Sequence, residues 1–216
     1  NDYIQQKIFT PLGMSNSSFA EPLPDHLAEN MADSYAVEMG GFAEKPFEII
    51  SSFGPAGAMS GTATDMMKFA QAILNGGELN GQRILRQSTL NEMLSRNFSH
   101  DDRLMGMALG FYESDENGIR VIGHGGDTNW FHSDLSIALS HDMAFFVSFA
   151  GAGGGAVRST FVPAFYNEFY PRDEAPPVPP ADFGERAGKF AGHFGFWRSN
   201  FSTIEKALGL SSSVSV

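Results

Sequence analysis

The sequence has 216 residues, a formal net charge of −11 and no cysteine, with 42% hydrophobic and 18% charged residues. These proportions are typical of an ordinary folded protein, and the length allows one large domain or one and a half small ones. The negative charge argues against nucleic-acid binding because the phosphates would be repelled. Without cysteine, disulfides, zinc–thiolate sites and thiol nucleophiles are excluded, and no apolar run is long enough to be a membrane segment.

The chain begins with a predicted helix and continues into a segment without clear periodicity. Apolar residues between Tyr3 and Ile8 have helical spacing, and Pro11 is predicted to stop this helix. From Glu21 to Phe53 the periodicity is weak, and we interpret this stretch as irregular.

The clearest helical pattern follows a small-residue loop. Thr62 or Thr64 is its predicted N-cap, an apolar stripe from Met66 to Leu74 forms its buried side, and the pair Gly76–Gly77 ends it. A second helix is predicted from Ser88.

The middle of the chain predicts a meander of strands, over residues 105–112, 120–126, 131–139 and 143–150. Between Phe131 and Leu139 the alternation is strict, so one face of that strand is expected to be buried. The run from Met143 to Ala150 is apolar throughout and is predicted to be more fully buried. Short connections favour antiparallel pairing, and the expected fold class is α+β, an antiparallel sheet flanked by helices.

A Gly-His-Gly-Gly tetrad, Gly123 to Gly126, closes the second of these strands. Three of its four residues have no Cβ, so another group, such as a substrate, can approach the backbone closely. On spacing alone, His124 is better explained by a structural histidine hydrogen-bonded at a strand end than by a functional one. The other histidines share no metal-ligand spacing, so no metal site is predicted.

The last part of the chain is predicted to contain a glycine-rich loop, a helix, a linker and the start of a second module. The helix spans Ala156 to Phe169, with a stripe of aromatic residues that we expect to pack on the sheet. Residues 171–182 are rich in proline and read as a stiff linker, and residues 183–216 as the start of a truncated C-terminal module. Because the chain starts at Asn1 and stops without a finishing element, we expect a piece of a longer polypeptide.

Three blocks in a fixed order carry a resemblance to a known family. They are Ile8-Phe-Thr-Pro-Leu-Gly-Met14, Pro55-Ala-Gly-Ala-Met-Ser-Gly-Thr-Ala-Thr-Asp65, and Gly123-His-Gly-Gly126 followed by a long hairpin. Over about residues 1–170 they resemble the C-terminal half of the serine β-lactamase-like family, which includes class C β-lactamases, D-alanyl-D-alanine carboxypeptidases and related esterases. The resemblance implies an incomplete β-lactamase/transpeptidase-like fold and favours a periplasmic or secreted location.

The same resemblance implies acyl transfer without a cofactor, on a small-molecule or peptide substrate with a carbonyl. In the family a serine in Ser-x-x-Lys attacks the carbonyl, a tyrosine in Tyr-x-Asn helps to move the proton, and a third motif lies on an edge strand. That third motif is placed here as His124, Gly125 and Gly126, with the backbone N–H of Asp127 at the oxyanion hole. Trp130 is expected to line the substrate cleft.

The other two motifs are missing from the sequence. No Ser-x-x-Lys or Tyr-x-Asn is present, and Ser95-Arg96-Asn97, which imitates a Ser-x-Asn variant, reads as a helix end. The resemblance places both motifs before Asn1, in an N-terminal half of the same polypeptide, and this segment alone is predicted to be inactive. Two alternatives stay open: a non-catalytic ligand-binding relative, and an unrelated antiparallel domain in which His124 is buried away from any cleft.

Overall fold

The computed structural model describes residues 1–50, 54–172, 178–195, 202–204, 206–207 and 213–215. The chain forms two compact units, Asn1–Arg172 and Asp173–Val216. The first unit combines helices with antiparallel strands, which confirms the predicted α+β class. In the part of the chain described, no helix is long and apolar enough to cross a membrane.

The N-terminal helix is built from three consecutive segments, Asp2–Ile4, a π-helical turn Gln5–Phe9, and Thr10–Leu12. Pro11 lies inside the last segment, so the prediction that it stops the helix is wrong. Proline has a helical φ, and the helix ends instead at Gly13, whose φ is +66°. The Gly13 N–H donates to the Thr10 carbonyl (3.1 Å) and the Met14 N–H to the Phe9 carbonyl (2.8 Å), which satisfies the last carbonyls of the helix.

The stretch interpreted as irregular contains regular structure. A short helix, Asp25–Ala28, is followed by a hairpin of strand β1 (Ser34–Glu38) and strand β2 (Gly41–Lys45). The interpretation was wrong because most residues of both strands are exposed. The apolar side chains Tyr35, Val37 and Phe42 are exposed, so they do not mark a buried face in the sequence.

The central helix, Ala63–Leu74, begins after Thr62, whose hydroxyl accepts a hydrogen bond from the Asp65 N–H at 3.2 Å. Thr62, rather than Thr64, is therefore the N-cap. Asp65 is fully buried, and its carboxylate accepts hydrogen bonds from the Asn16 N–H (2.8 Å) and the Ser17 hydroxyl (3.0 Å). These bonds tie the start of the central helix to the chain that follows the N-terminal helix. The neighbouring short elements are the helix Gly54–Gly57, strands β3 (Glu78–Leu79) and β4 (Gln82–Arg83), and the helix Gln87–Leu94.

Thr62→Ala is expected to lower the free energy of unfolding by about 1 kcal/mol, because the capping acceptor is lost at the helix N-terminus. Thr64→Ala is the matched control, since Thr64 is exposed and lies inside the helix, where alanine is at least as favourable. Urea unfolding of both variants measures the difference. Equal midpoints would show that Thr62 does not cap the helix.

A four-stranded antiparallel sheet forms the centre of the first unit, in the order β5 (Tyr112–Glu116), β6 (Ile119–Asp127), β7 (Phe131–Ala138) and β8 (Met143–Ala150). The predicted antiparallel meander is confirmed for β6, β7 and β8, but the predicted first strand, residues 105–112, is wrong because it shares only Tyr112 with β5. The chain turns back at Gly110, which has a φ of +77°, and the Ala108 N–H donates to the Phe111 carbonyl at 3.0 Å. The apolar residues before this turn are therefore not part of β5.

Strand β7 is covered on both faces, so the prediction of a single buried face is wrong. Leu135 and Ile137 pack in the core that includes residues of the central helix. On the other face, the sheet-covering helix, Gly154–Phe169, places Tyr166 against the sheet. Ser136 is 1% exposed and its hydroxyl lies 2.9 Å from the Tyr166 hydroxyl, so a polar residue satisfied by a hydrogen bond occupies a buried position.

Strand β8 is the last strand in the sheet order, and its residues are half-buried or exposed. The prediction that it is more fully buried than β7 is wrong, because β8 is an edge strand that pairs only with β7, whereas β7 lies between β6 and β8. The predicted aromatic stripe of the sheet-covering helix packs only in its middle. Phe161 and Phe165 contact Phe145, whereas Val157 and Phe169 are 50% and 65% exposed.

The second unit, Asp173–Val216, is described in part. It contains a helix, Phe183–Ala187, a 3-10 turn, Gly188–Phe190, and two antiparallel strands, β9 (His193–Gly195) and β10 (Ser213–Ser215). The linker over 171–182 and the truncated module over 183–216 stay predictions. Residues 173–177 of the linker and the aromatic residues 196, 197 and 201 lie outside the described residues.

Candidate active-site strand

The C-terminal half of β6 presents His124 at an exposed edge. The imidazole stacks on the Tyr112 ring, with 4.6 Å between ring centroids and 26° between planes. His124 also borders a cavity of about 280 Å³ together with Tyr112, Asp134 and Arg158. The alternative of an unrelated domain required a buried histidine away from any cleft, and it is wrong on both points.

The backbone of β6 leaves two N–H groups at this edge. The Thr128 N–H donates to the Phe131 carbonyl of β7 at 2.9 Å, and the register pairs Asp127 with His132 and Gly125 with Asp134. Hydrogen-bonding direction alternates along an antiparallel strand, so the N–H groups of Gly125 and Asp127 point away from β7. On that side β5 reaches only as far as the partner of Gly123, and no described strand pairs with β6 beyond it.

The glycines at positions 125 and 126 have different surroundings. A Cβ at Gly125 would collide with the guanidinium of Arg158, whereas a Cβ at Gly126 would meet nothing within 4 Å. The sequence suggested a substrate as the group that approaches this backbone. At Gly125 the close neighbour is instead a side chain of the protein, and the open side lies at Gly126.

The side chain of Asp127 belongs to an ionic cluster at the sheet-covering helix. One carboxylate oxygen lies 2.7 Å from His132 Nδ1, and the other accepts from Arg158 Nη2 at 2.6 Å. Arg158 also donates through Nη1 to Asp134 at 3.1 Å. Burial raises the pKa of the Asp134 carboxyl above its ordinary value, and the Arg158 guanidinium opposes that rise. The Asp127 carboxylate thus pairs with Arg158 and His132, while its backbone N–H points to the unpaired strand edge.

Trp130 is held by its backbone in the loop between β6 and β7. Its carbonyl accepts hydrogen bonds from the Ser34 hydroxyl (3.1 Å) and the Gly151 N–H (2.7 Å), and its N–H donates to Glu48 at 3.1 Å. Lys45 Nζ lies 5.6 Å from the centroid of the Trp130 ring. A role of Trp130 in substrate binding stays a prediction.

Glu48 is a residue of this site that the sequence did not single out. Its carboxylate accepts hydrogen bonds from the backbone N–H of Asn129 (3.0 Å) and from that of Trp130 (3.1 Å). Burial by itself would raise the pKa of Glu48, but hydrogen bonds from the Thr128 side chain and from Asn129 and Trp130 lower it below the ordinary value. An acidic residue in a segment without periodicity gives no sequence signal for such a contact.

A larger cavity of about 470 Å³ lies beside the strand end, with a mainly apolar lining. Phe131 and Ser133 of β7 line it, and Ser133 is the register partner of Gly126. Met59, Met66 and Phe146 are among the other apolar residues of its wall. Phe131, the first residue of the alternating strand, borders this cavity.

The chain is similar in sequence to known proteins. The sequence model of the family described as Beta-lactamase matches residues 1–161. The chain belongs to the beta-lactamase family. This beta-lactamase-family chain is 28% identical over 138 residues to Beta-lactamase-like protein 2 of Dictyostelium discoideum, covering 62% of this chain and 24% of the relative. It is 25% identical over 212 residues to human Putative beta-lactamase-like 1, covering 94% of this chain and 39% of the relative. It thus spans well under half of both relatives.

Solved structures share the fold of this beta-lactamase-family chain. A class C beta-lactamase superimposes with a TM-score of 0.62 at 16% identity, over 82% of this chain and 52% of that one. The octameric penicillin-binding protein homologue from Pyrococcus abyssi has a TM-score of 0.61 at 19% identity, over 90% of this chain and 43% of that one. A D-stereospecific amidohydrolase from Streptomyces sp. has a TM-score of 0.58 at 21% identity, over 78% of this chain and 48% of that one. At these identities the comparison establishes the fold.

A buried carboxylate supports the site strand of this beta-lactamase-family chain from β5. The Glu113 side chain is fully buried and pairs with Arg96 Nε (2.5 Å) and Arg120 Nη2 (2.5 Å). It also accepts a hydrogen bond from the Gly106 N–H at 2.9 Å. Burial would raise the pKa of Glu113, but these partners lower it below the ordinary value. The cluster joins β5 and β6 to the segment that follows the helix Gln87–Leu94.

Proposed function

We propose that this chain is the C-terminal part of a serine hydrolase that acts on a carbonyl of an ester, an amide or a β-lactam. The substrate is a small molecule or a peptide. The observation that carries the proposal is the backbone N–H of Asp127, which points to an unpaired strand edge next to the exposed imidazole of His124 and the open side of Gly126. Membership of the beta-lactamase family supports it.

The strand edge fits the oxyanion side of an acyl-transfer site. A hydroxyl nucleophile attacks the carbonyl carbon, a C–O bond forms, and the carbonyl electron pair moves to oxygen. The N–H of Asp127 donates to this oxyanion, and one such donor is commonly worth roughly 3 kcal/mol of barrier. Collapse of the intermediate expels the leaving group, which takes up a proton, and water then releases the acyl group.

His124 is proposed to touch the substrate. An imidazole can give or accept a proton near neutral pH, and it can also bind a carboxylate when charged. Its ring is exposed at the strand edge and stacks on Tyr112. The substrate-binding side is proposed to include Gly126, the backbone of Gly125 and Trp130.

The nucleophile is proposed to lie outside these 216 residues. The sequence holds no Ser-x-x-Lys and no Tyr-x-Asn, and the chain covers 39% and 24% of the two curated relatives. Covalent catalysis requires a nucleophile with an activating group, so this segment by itself is proposed to be inactive. The second candidate is a ligand-binding relative without a nucleophile, which would lack Ser-x-x-Lys in the sequence before Asn1 as well.

Labelling of the complete polypeptide with a fluorescent phosphonate or penicillin distinguishes the two candidates. We expect covalent labelling at a serine in Ser-x-x-Lys before Asn1, located by peptide mass spectrometry, and a labelling rate lowered roughly 100-fold by His124→Ala. His26→Ala is the matched control, because His26 is exposed on the short helix Asp25–Ala28.

Other results would decide against the enzyme. A folded complete polypeptide that binds penicillin reversibly and is never labelled would support the ligand-binding relative. Hydrolysis of nitrophenyl acetate by the 216-residue segment alone, lost in His124→Ala, would contradict the proposal that the nucleophile lies elsewhere.

A further inference from the structure

We propose that Arg158 is a positioning residue for the candidate oxyanion donor. It lies on the sheet-covering helix and holds the end of β6, where the Asp127 N–H is presented, in register with β7. The inference rests on the proposed function for its catalytic consequence. The structural role of Arg158 is argued from contacts alone and is tested separately.

The guanidinium grips the side chain of Asp127 with two donors. Arg158 Nη2 donates to Asp127 Oδ2 at 2.6 Å and Nε donates to Oδ1 at 3.2 Å. Such a side-on pair restricts both distance and orientation, which a single contact does not. Asp127 is the last residue of β6, so holding its side chain holds its backbone N–H.

The same guanidinium holds the neighbouring strand. Arg158 Nη1 donates to Asp134 Oδ2 at 3.1 Å, and Asp134 is the register partner of Gly125. Asp134 is partly buried, with 18% of its side chain exposed. Arg158 therefore bridges Asp127, the last residue of β6, and Asp134 of β7. This bridge fixes the end of β6 relative to β7, and with it the position of the strand edge.

Gly125 is what lets the guanidinium lie this close to the strand. A Cβ at this position would overlap Arg158 Nη1 and would come within 3.1 Å of Asp134 Oδ2. The middle glycine of the motif is thus explained by contact with Arg158 on the helix side of the sheet. This contact is independent of any substrate.

His132 is the fourth residue of this cluster and contacts the Asp127 carboxylate. It is 7% exposed, and its Nδ1 lies 2.7 Å from Asp127 Oδ1. Because a carboxylate only accepts, Nδ1 carries the proton in this hydrogen bond. The first turn of the sheet-covering helix sits on the ring, since a Cβ at Gly154 would come within 2.6 Å of His132 Cδ2. Helix, imidazole and strand end are therefore packed as one body.

Catalysis depends on this body because an oxyanion donor acts only at the right position. Misplacement by about 1 Å can cost roughly 100-fold in rate. Without Arg158, Asp127 would retain only the His132 contact, and Asp134 would lose its cation. We therefore expect Arg158→Met to loosen the strand end and to slow acylation without weakening ground-state binding in proportion.

The test uses the complete polypeptide and two readouts. Hydrogen exchange followed by NMR at the Thr128 amide, which is bonded to β7, should become at least about tenfold faster in Arg158→Met. The acylation rate with a fluorescent phosphonate should fall roughly 10- to 100-fold. Arg158→Lys keeps the charge without the fork and should be intermediate in both. The matched control is Arg103→Met, which breaks an exposed bidentate pair with Asp101 and should change neither.

A double-mutant cycle examines the contact itself. Gly125→Ala should accelerate exchange strongly when Arg158 is present, because the new Cβ displaces the guanidinium, and should add little in an Arg158→Ala background. Additive effects would overturn the inference, as would unchanged exchange in Arg158→Met. Faster exchange with an unchanged acylation rate would overturn the catalytic role. If the complete polypeptide is never labelled, the proposed function is wrong. Hydrogen exchange at the Thr128 amide still decides whether Arg158 orders the strand end.

Discussion

Asp127→Pro is expected to lower the acylation rate of the complete polypeptide by roughly 10²- to 10³-fold. Proline has no N–H, so this substitution deletes the proposed oxyanion donor. The Asp127 N–H points to the side of β6 that has no described partner strand, so no ladder hydrogen bond is lost there. Proline is tolerated at such strand edges. The rate of labelling by a fluorescent phosphonate measures the effect.

The control for this prediction is Asp127→Ala, which removes the carboxylate and keeps the N–H. Both variants lose the contacts to Arg158 and His132, so the difference between them isolates the backbone donor. Asp127→Ala is expected to react much faster than Asp127→Pro. Similar rates for two folded variants would show that the Asp127 N–H does not act on the reacting carbonyl.

Glu113→Gln is expected to lower the free energy of unfolding at pH 7 by about 3 kcal/mol, because removing one partner of a buried ionic cluster leaves the others without compensation. Its two arginine partners, Arg96 and Arg120, are 32% and 39% exposed and can hydrate in part. Because both arginines are partly exposed, we expect a loss of unfolding free energy at the lower end of the range for breaking a buried ion pair. Urea unfolding measures it.

The loss of unfolding free energy in Glu113→Gln is expected to be larger at neutral pH than at acidic pH. Burial alone would raise the pKa of Glu113, but Arg96, the Gly106 N–H and Arg120 lower it below its ordinary value. A depressed folded-state pKa stabilises the protein above the unfolded pKa of about 4.3, and this stability is lost as the pH falls through the depressed value. The difference between wild type and Glu113→Gln should therefore be full at pH 7 and shrink below about pH 4.

The matched control is Glu78→Gln, which breaks the exposed pair of Glu78 with Arg83. Exposed ion pairs contribute about 0 to 1 kcal/mol, so this variant should unfold close to wild type at every pH. A Glu113→Gln variant with the same behaviour as this control would mean that the buried cluster does not stabilise the first unit.

Local patterns predicted the elements whose determinants are close together in the chain. The central helix was found from its apolar stripe and a threonine cap, and the β6–β8 meander from period-two alternation and short turns. Failures came where local rules were overridden. Pro11 lies inside a helix that Gly13 ends, and the β1–β2 hairpin exposes its apolar side chains instead of burying them.

Burial was misjudged for a related reason. Strand β8 is apolar, but it stands last in the sheet order and is only partly covered. Ser136 and His132 are polar but buried: the Ser136 hydroxyl pairs with Tyr166, and Nδ1 of His132 pairs with Asp127. Hydrophobicity in a sequence does not say how many neighbours an element has, nor which polar groups find partners.

The sequence by itself determined the family and its ordered blocks, the α+β class, and the glycine-flanked position of His124, since each of these depends on residues that are adjacent or regularly spaced. Only the tertiary structure decided that Arg158 lies on Gly125, that Glu48 holds the loop at Trp130, and that Glu113 joins two arginines. These contacts join residues that are distant in the chain. They form only after the helices and strands have packed and excluded water around the charged side chains. Spacing along the chain contains no such information.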